Sequence, residues 1–537
     1  MFKELLLLLQ LFLLSRAAEN PMVTLDYGKF QGKYDNRYNI AYFRKIPFGA
    51  STAGANRFRA PQPPPTIAEN EVYDTDQDFD MCPQREDSGS EDCLYLGIYS
   101  RPWDTKAPPK RPVLVVFYGG GFIRGSASFT LPPSAYPILN VNTANDFVVV
   151  YPNYRTNAFG FLPGRRVKDS PTADLNAGLL DQNFALEWVQ KHIARFGGDP
   201  DDMIIWGQSA GAGSVVAQVA AQAQQQKPGP KLFHRALASS PFWPKTYRYD
   251  EPEAEALYDQ LVSLAGCAGQ TGDSLECLRA VDVQKLREAA FQISAANTYT
   301  TSSFNWAPVV DGDFLRAPLS SLAATAPGTT MWTMYNTHEG ENFLPDSLSG
   351  SCRDKDDPAL DSWLRGYLPR FDDAKIAAVK ALYPLDGQAE NAVLDSTRVR
   401  AGLIFKDSVL ACPGLWAAQA AQASQGGKAF LGEYTISPAK HGDDAVYWNQ
   451  VNEIQQTDPF IYQGYAGAFG SFFQTGDPNA QGPPPQTGAT KKPYAAVPPL
   501  QSGQEWVTKS DSFETHDVAM LTKRCAFWKD NAASVPL

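Results

Sequence analysis

Ser209 stands between two glycines in the stretch Trp206–Ser214, WGQSAGAGS. The apolar run MIIW (Met203–Trp206) precedes it, and the small-residue run AGSVVAQVA (Ala212–Ala220) follows. A serine carried on a sharp strand-to-helix turn is a nucleophile raised above the edge of a sheet. Such a turn presses backbone against backbone, so Gly207 and Gly211 are needed where a larger side chain would collide. The amide that follows, on Ala210, then points at the oxygen on which charge develops. Ser214 falls inside the ensuing helix and reads as a packing serine.

A serine of this kind needs oxyanion donors, a base and an acid. The segment YGGGF (Tyr118–Phe122) follows a strand-like run, and its glycines expose backbone N–H groups to an approaching substrate. The chain has five histidines. His192 lies on a helix, His234 before the strand-like RALASS, His338 beside Glu339, and His516 near the tail. His441 follows the apolar run AFLGEY (Ala429–Tyr434) in a polar loop. Where the chain order is serine, acid, histidine, a late histidine after a strand is required. His441 fits that order best, with His516 as the fallback. Among the carboxylates between serine and histidine, Glu339 is favoured because it sits at a strand end beside Gly340.

The positioning elements are legible as alternating strands and helices. RPVLVVFY (Arg111–Tyr118), FVVVYP (Phe147–Pro152), MIIWG (Met203–Gly207), MWTMY (Met331–Tyr335) and AFLGEY read as buried strands. A helical segment carries Leu179, Leu180, Phe184, Leu186, Val189 and Ile193 on one broad face and stops at Gly197–Gly198. This pattern predicts an α/β protein with a large, mostly parallel central sheet flanked by helices. PQPPP (Pro61–Pro65), the polar run Ala220–Lys231 and GPPP (Gly482–Pro485) mark loops, and none divides the chain into contrasting halves.

The chain has 537 residues, 43% of them hydrophobic, which is ample for a large core. Its mean hydropathy is -0.31 and its pI about 5.1. A net charge of -11 argues against nucleic acid or an anionic membrane as partner. Lys3 precedes the apolar run Leu5–Leu14, and small residues at Ser15 and Ala17 follow. That is a secretory signal, with cleavage after Ala17 or Ala18 and residues 19–537 left as one catalytic domain. The apolar run is too short for a membrane anchor. Seven cysteines, with no zinc-type spacing, fit disulfides in an oxidising compartment plus one odd thiol. No metal or other cofactor is expected. No N-x-S/T sequon occurs.

These motifs together resemble the type-B carboxylesterase family, which includes cholinesterases and secreted fungal lipases. The resemblance runs from about Val23 to Trp528. It is carried by SEDCLYL (Ser90–Leu96), YGGGF, NYRTNAFGFL (Asn153–Leu162), NAGLLDQ (Asn176–Gln182), ARFGGDP (Ala194–Pro200), GQSAGA and PVVDG (Pro308–Gly312). HEG around Glu339, the late His441 and CAFW (Cys525–Trp528) complete the set. The resemblance implies an α/β-hydrolase fold and a triad of Ser209, Glu339 and His441. It implies an oxyanion hole from the amides of Gly120, Gly121 and Ala210. It also implies Ser239 supporting the triad, and structural ion pairs Arg57–Glu91 and Arg155–Asp181. The family's disulfide pattern implies Cys82–Cys93, Cys267–Cys277 and Cys412–Cys525, leaving Cys352 odd.

The implied reaction is hydrolysis of a small-molecule ester through an acyl-enzyme, with no cofactor. Two departures bear on the substrate. Only ten residues separate Cys82 from Cys93, where lipases of the family carry a longer lid and cholinesterases a tryptophan. Gln208 replaces the glutamate common beside the nucleophile. Both point to an apolar or uncharged ester. Phe122, Phe242, Trp243 and Trp306 are candidate walls of the substrate site. Transfer of the acyl group to an alcohol, or service to one specialised fungal metabolite, are alternatives within the same chemistry. Adhesion proteins of the family lack the serine or the histidine, whereas every catalytic position is filled here. The sequence leaves the oligomeric state open.

Overall fold

The computed structural model describes residues 20–78, 80–84, 89–127, 130–224, 231–269, 272–348, 357–486 and 491–537. The signal segment and Cys352 lie outside the described residues. Eleven strands form one sheet: β1 (Lys33–Asp35), β2 (Ile40–Pro47), β3 (Tyr95–Ser100), β4 (Arg111–Phe117), β5 (Val148–Pro152), β6 (Gly198–Gln208), β7 (Arg235–Ser239), β8 (Thr330–Asn336), β9 (Lys428–Tyr434), β10 (Gln504–Thr508) and β11 (Phe513–Asp517). Their order is 11-10-9-8-7-6-4-5-3-2-1. The run from β10 to β5 is parallel throughout. The remaining pairs at both edges are antiparallel. This is the α/β-hydrolase fold expected from the sequence. The edge strands escaped the sequence reading, which found the parallel centre.

The helices that matter to the site are α1 (Ala177–His192), α2 (Ala210–Ala223), α3 (Val283–Thr301), α4 (Thr397–Lys406), α5 (Cys412–Ala423), α6 (Pro459–Thr475) and α7 (Ala519–Asp530). Successive side chains of a strand face opposite sides of a sheet, so a strand covered on both sides must be apolar throughout. β6 obeys this. Met203 and Ile205 pack with Val215 and Leu186 on one side, while Ile204 and Trp206 join Phe469, Phe473 and Trp332 on the other. The second layer is aromatic, with α6 laid across it. Trp206 meets Phe473 at 5.4 Å and Trp448 at 4.9 Å between ring centroids.

Covalent and ionic ties close the layers. The three disulfides are Cys82–Cys93, Cys267–Cys277 and Cys412–Cys525, as the resemblance implied, and the last joins α5 to α7. Arg57 forks onto both oxygens of Glu91 at 2.7 and 2.6 Å. Arg155 does the same to Asp181 at 2.8 and 2.7 Å, and its backbone N–H adds a third bond at 3.0 Å. This pair is almost wholly enclosed, with side-chain exposures of 1% and 0%. A buried charge left alone keeps its desolvation cost with nothing to offset it. Asp181→Ala is therefore expected to destabilise the protein by about 3–5 kcal/mol, read as a lowered midpoint in urea unfolding.

Candidate active site

Ser209 sits between β6 and α2 with φ 60° and ψ −127°, a conformation that side chains rarely adopt. The cause is crowding. A Cβ on Gly207 would stand 2.3 Å from the carbonyl carbon of Gly211, and one on Gly211 would stand 2.1 Å from the oxygen of Phe117. The turn is pinned by hydrogen bonds. The Ser209 N–H donates to the Ser239 carbonyl at 3.0 Å, and its own carbonyl accepts from Gly213 at 2.9 Å and Phe242 at 3.0 Å. Ser214 lies in α2, where it accepts from Gln182 and donates to the Ala210 carbonyl.

The glycine segment follows β4. Gly120 and Gly121 have φ of 121° and 66°, and their loop closes through N–H bonds from Ile123 and Arg124 to the Gly120 carbonyl. A Cβ on Gly119 would come within 2.9 Å of the Ser209 Cβ, so loop and elbow are in direct contact. Gln84 holds the far end of this loop. Its amide donates to the Gly125 carbonyl at 3.0 Å and accepts from the Gly125 N–H at 2.7 Å. Ala210 opens α2, so its N–H is one of the first-turn amides that no helical carbonyl reaches.

Glu339 and His441 come from the ends of neighbouring strands β8 and β9. Glu339 is fully buried, and its Oε2 lies 3.0 Å from His441 Nδ1. A second tie runs from the His441 N–H to Asn342 Oδ1 at 3.1 Å, and the Phe343 ring meets the imidazole edge at 5.0 Å. Asn336, the last residue of β8, donates to the Lys440 carbonyl at 2.7 Å and to Asp444 at 3.2 Å. Burial raises the Asp444 carboxyl above its ordinary range, against hydrogen bonds from Trp448 and Asn336. These fasteners were not foreseen, because an asparagine at a strand end carries no sequence signal of its own.

Ser209, His441, Gly120 and Gly121 line one cavity of about 410 Å³. Gln208 lines it too, and its Nε2 lies 3.3 Å from His441 Nε2. Among the described residues no hydrogen bond joins the Ser209 hydroxyl to that nitrogen. His516 lies apart on β11, against Glu514. Ser239 lies next to the elbow: its carbonyl accepts from the Ser209 N–H, and its hydroxyl accepts from the Trp206 indole at 3.1 Å. Glu339 Oε1 is buried without a protein partner among the described residues.

The apolar walls differ from those expected. Phe122, Phe242, Trp243 and Trp306 are core residues, none more than 2% exposed, and none of them lines the cavity. Ile123, Phe304, Phe343 and Leu344 face it instead. Phe242 backs this wall, 4.7 Å from Phe304 and 5.5 Å from Phe343. Trp306 turns inward because its indole N–H is satisfied by the Ala290 carbonyl at 2.9 Å.

Beneath the Glu339 turn lies a buried charge cluster. A Cβ on Gly340 would stand 1.8 Å from the Gly402 oxygen, so the turn rests directly on α4. Thr337 donates to Glu433 at 2.7 Å, and Tyr335 donates to both oxygens of Glu505 at 2.8 and 2.9 Å. Arg524 binds Asp407 and Glu390, and Lys406 lies over the Tyr335 ring.

An eleven-stranded α/β-hydrolase sheet with serine, histidine and glutamate gathered at the ends of its central strands defines the class. The model of the carboxylesterase family matches residues 19–528, and the chain belongs to that family. It is 35% identical over 258 residues to a secreted triacylglycerol lipase of Gibberella zeae, spanning 48% of this chain and 43% of the lipase. It is 28% identical over 485 residues to the carboxylesterase patB of Penicillium expansum, spanning 86% of this chain and 80% of that protein. Against most of the curated relatives it matches, the aligned stretch covers about half of their length. The crystal structure of Aspergillus niger EstA superimposes with a TM-score of 0.79 at 24% identity, covering 96% of this chain and 99% of that one, a likeness of fold.

Burial raises the Glu505 carboxyl well above its ordinary 4.5, and the neighbouring Glu433 adds to the effect. The folded state thus keeps a proton that the unfolded chain gives up above about pH 4.5, so stability falls as pH rises towards the raised value. Glu505→Gln removes that linkage. Its unfolding temperature should change less than the wild type's between about pH 5 and about pH 8. Parallel curves for the two proteins, measured by calorimetry, would remove Glu505 from the account.

Proposed function

We propose that this chain is a serine carboxylic-ester hydrolase that works through an acyl-enzyme on an uncharged ester. The observation that carries the reading is one cavity holding Ser209 on its strained turn, the His441–Glu339 pair and the glycine loop. Family membership supports it. His441 Nε2 takes the proton of Ser209 as Oγ attacks the carbonyl carbon. Glu339, a carboxylate that only accepts, fixes the Nδ1–H tautomer and stabilises the cation that forms. The N–H groups of Gly120, Gly121 and Ala210 meet the tetrahedral oxyanion, whose collapse expels the alcohol with the proton returned from His441. Water then repeats the cycle and frees the acid.

An uncharged substrate is supported by Gln208, a neutral amide beside the nucleophile, and by the apolar faces of Phe304, Phe343, Ile123 and Leu344, which lie in a lining whose one cation among the described residues, Arg124, is matched by one anion, Asp346. Three disulfides and the secreted relative support an exported enzyme built as one catalytic domain after its signal. Ser209→Ala leaves fold and cavity intact and removes the attacking oxygen. Hydrolysis of 4-nitrophenyl acetate should drop by about 10⁴-fold or more, with labelling by a fluorophosphonate lost. Retained turnover in that variant would overturn the assignment.

A further inference from the structure

A second cavity, of about 630 Å³, adjoins the catalytic one. Its walls include Tyr38, Tyr118, Trp206 and Trp448, with Ser134 and Asn449 among its polar groups, and no charged side chain among the described residues lines it. Among the described residues, Gln208 is the single one that lines both cavities. Its position is fixed by the imidazole. Glu339 accepts at His441 Nδ1, so that nitrogen carries the hydrogen and Nε2 of the neutral ring presents a lone pair. In the resting site, before Nε2 takes the Ser209 proton, the Gln208 amide N–H donates to that lone pair across 3.3 Å. The side chain is thereby drawn across the boundary between the two spaces.

Reaction geometry tells which half of an ester meets this boundary. The oxygen that leaves must receive its proton from His441 Nε2, so the alcohol half lies on the side of that nitrogen. Gln208, 3.3 Å from Nε2, stands on that side and also lines the second cavity. We propose that Gln208 is a specificity-determining residue, a partition anchored on His441 that excludes bulky alcohol groups from the larger cavity. With the partition in place, esters of small alcohols are preferred. Without it, the aromatic, uncharged cavity receives a large neutral alcohol group. The acyl half, lying against Phe304 and Phe343, is untouched by the change.

This inference rests on the ester-hydrolase reading, and its test keeps the two apart. The acetates of methanol, benzyl alcohol and 1-naphthylmethanol share one acyl group and have leaving alcohols of similar acidity. In Gln208→Ala the ratio of kcat/KM for the naphthylmethyl ester to that for the methyl ester should rise by about tenfold or more, mainly through KM. Gln208→Asn keeps an amide but loses a methylene and the reach to Nε2. It should move the ratio the same way and carries the test if the alanine variant fails to fold. A series of ethyl esters of increasing acyl length should keep its wild-type profile. A variant that only loosens the structure lowers all esters alike and leaves the ratio fixed. An unchanged ratio in a folded Gln208→Ala overturns the partition while Ser209→Ala still reports on the triad. A change confined to the acyl series overturns it as well.

Discussion

The close approach of backbone at Gly207 and Gly211 is the constraint on which the rest of the site depends. With no side chain at either position, β6 can turn into α2 within one residue and still touch the carbonyl end of β4. The strained conformation of Ser209 is the residue-level cost, of the order of 1–3 kcal/mol, and the surrounding hydrogen bonds over-determine it. The same contact brings the glycine loop after β4 against the nucleophile. Elbow and glycine loop are thus one packing event.

Glu339 and His441 are held by a different principle. Both leave the ends of adjacent parallel strands, so the sheet register sets their spacing before any side chain acts. Asn336 then stitches the two loops together, and the turn bearing Glu339 rests on α4 without a side chain between. The buried acids below accept bonds from Thr337 and Tyr335, the residues that lead into this turn. Polar groups sealed in this way leave the turn few alternative positions.

Much of this was legible in the sequence. Buried strands announce themselves as continuous apolar runs, and β4, β5, β6, β8 and β9 were found to within a few residues. The antiparallel edges were not, because short strands such as β1 and β11 carry mixed residues and depend on neighbours for their identity. Motif, chain order and strand ends singled out Ser209, Glu339 and His441; Ser209 and His441 line one cavity, and Glu339 bonds His441 behind it. The aromatic walls did not. Phe304 and Trp306 lie two residues apart, and only the path of the chain after α3 decides that the first faces the cavity and the second the core. Gln208 was noticed as a departure in charge, but its contact with His441 depends on tertiary placement that no local pattern encodes.

The short segment opened by Cys82 has a consequence of its own. Through Gln84 it grips Gly125 in both directions, and the cystine fixes where Gln84 can stand. Where a longer insertion would serve as a cover, this one serves as a bracket under the glycine loop. The placement of the glycine loop thus leans on a covalent tie as well as on the strand that precedes it.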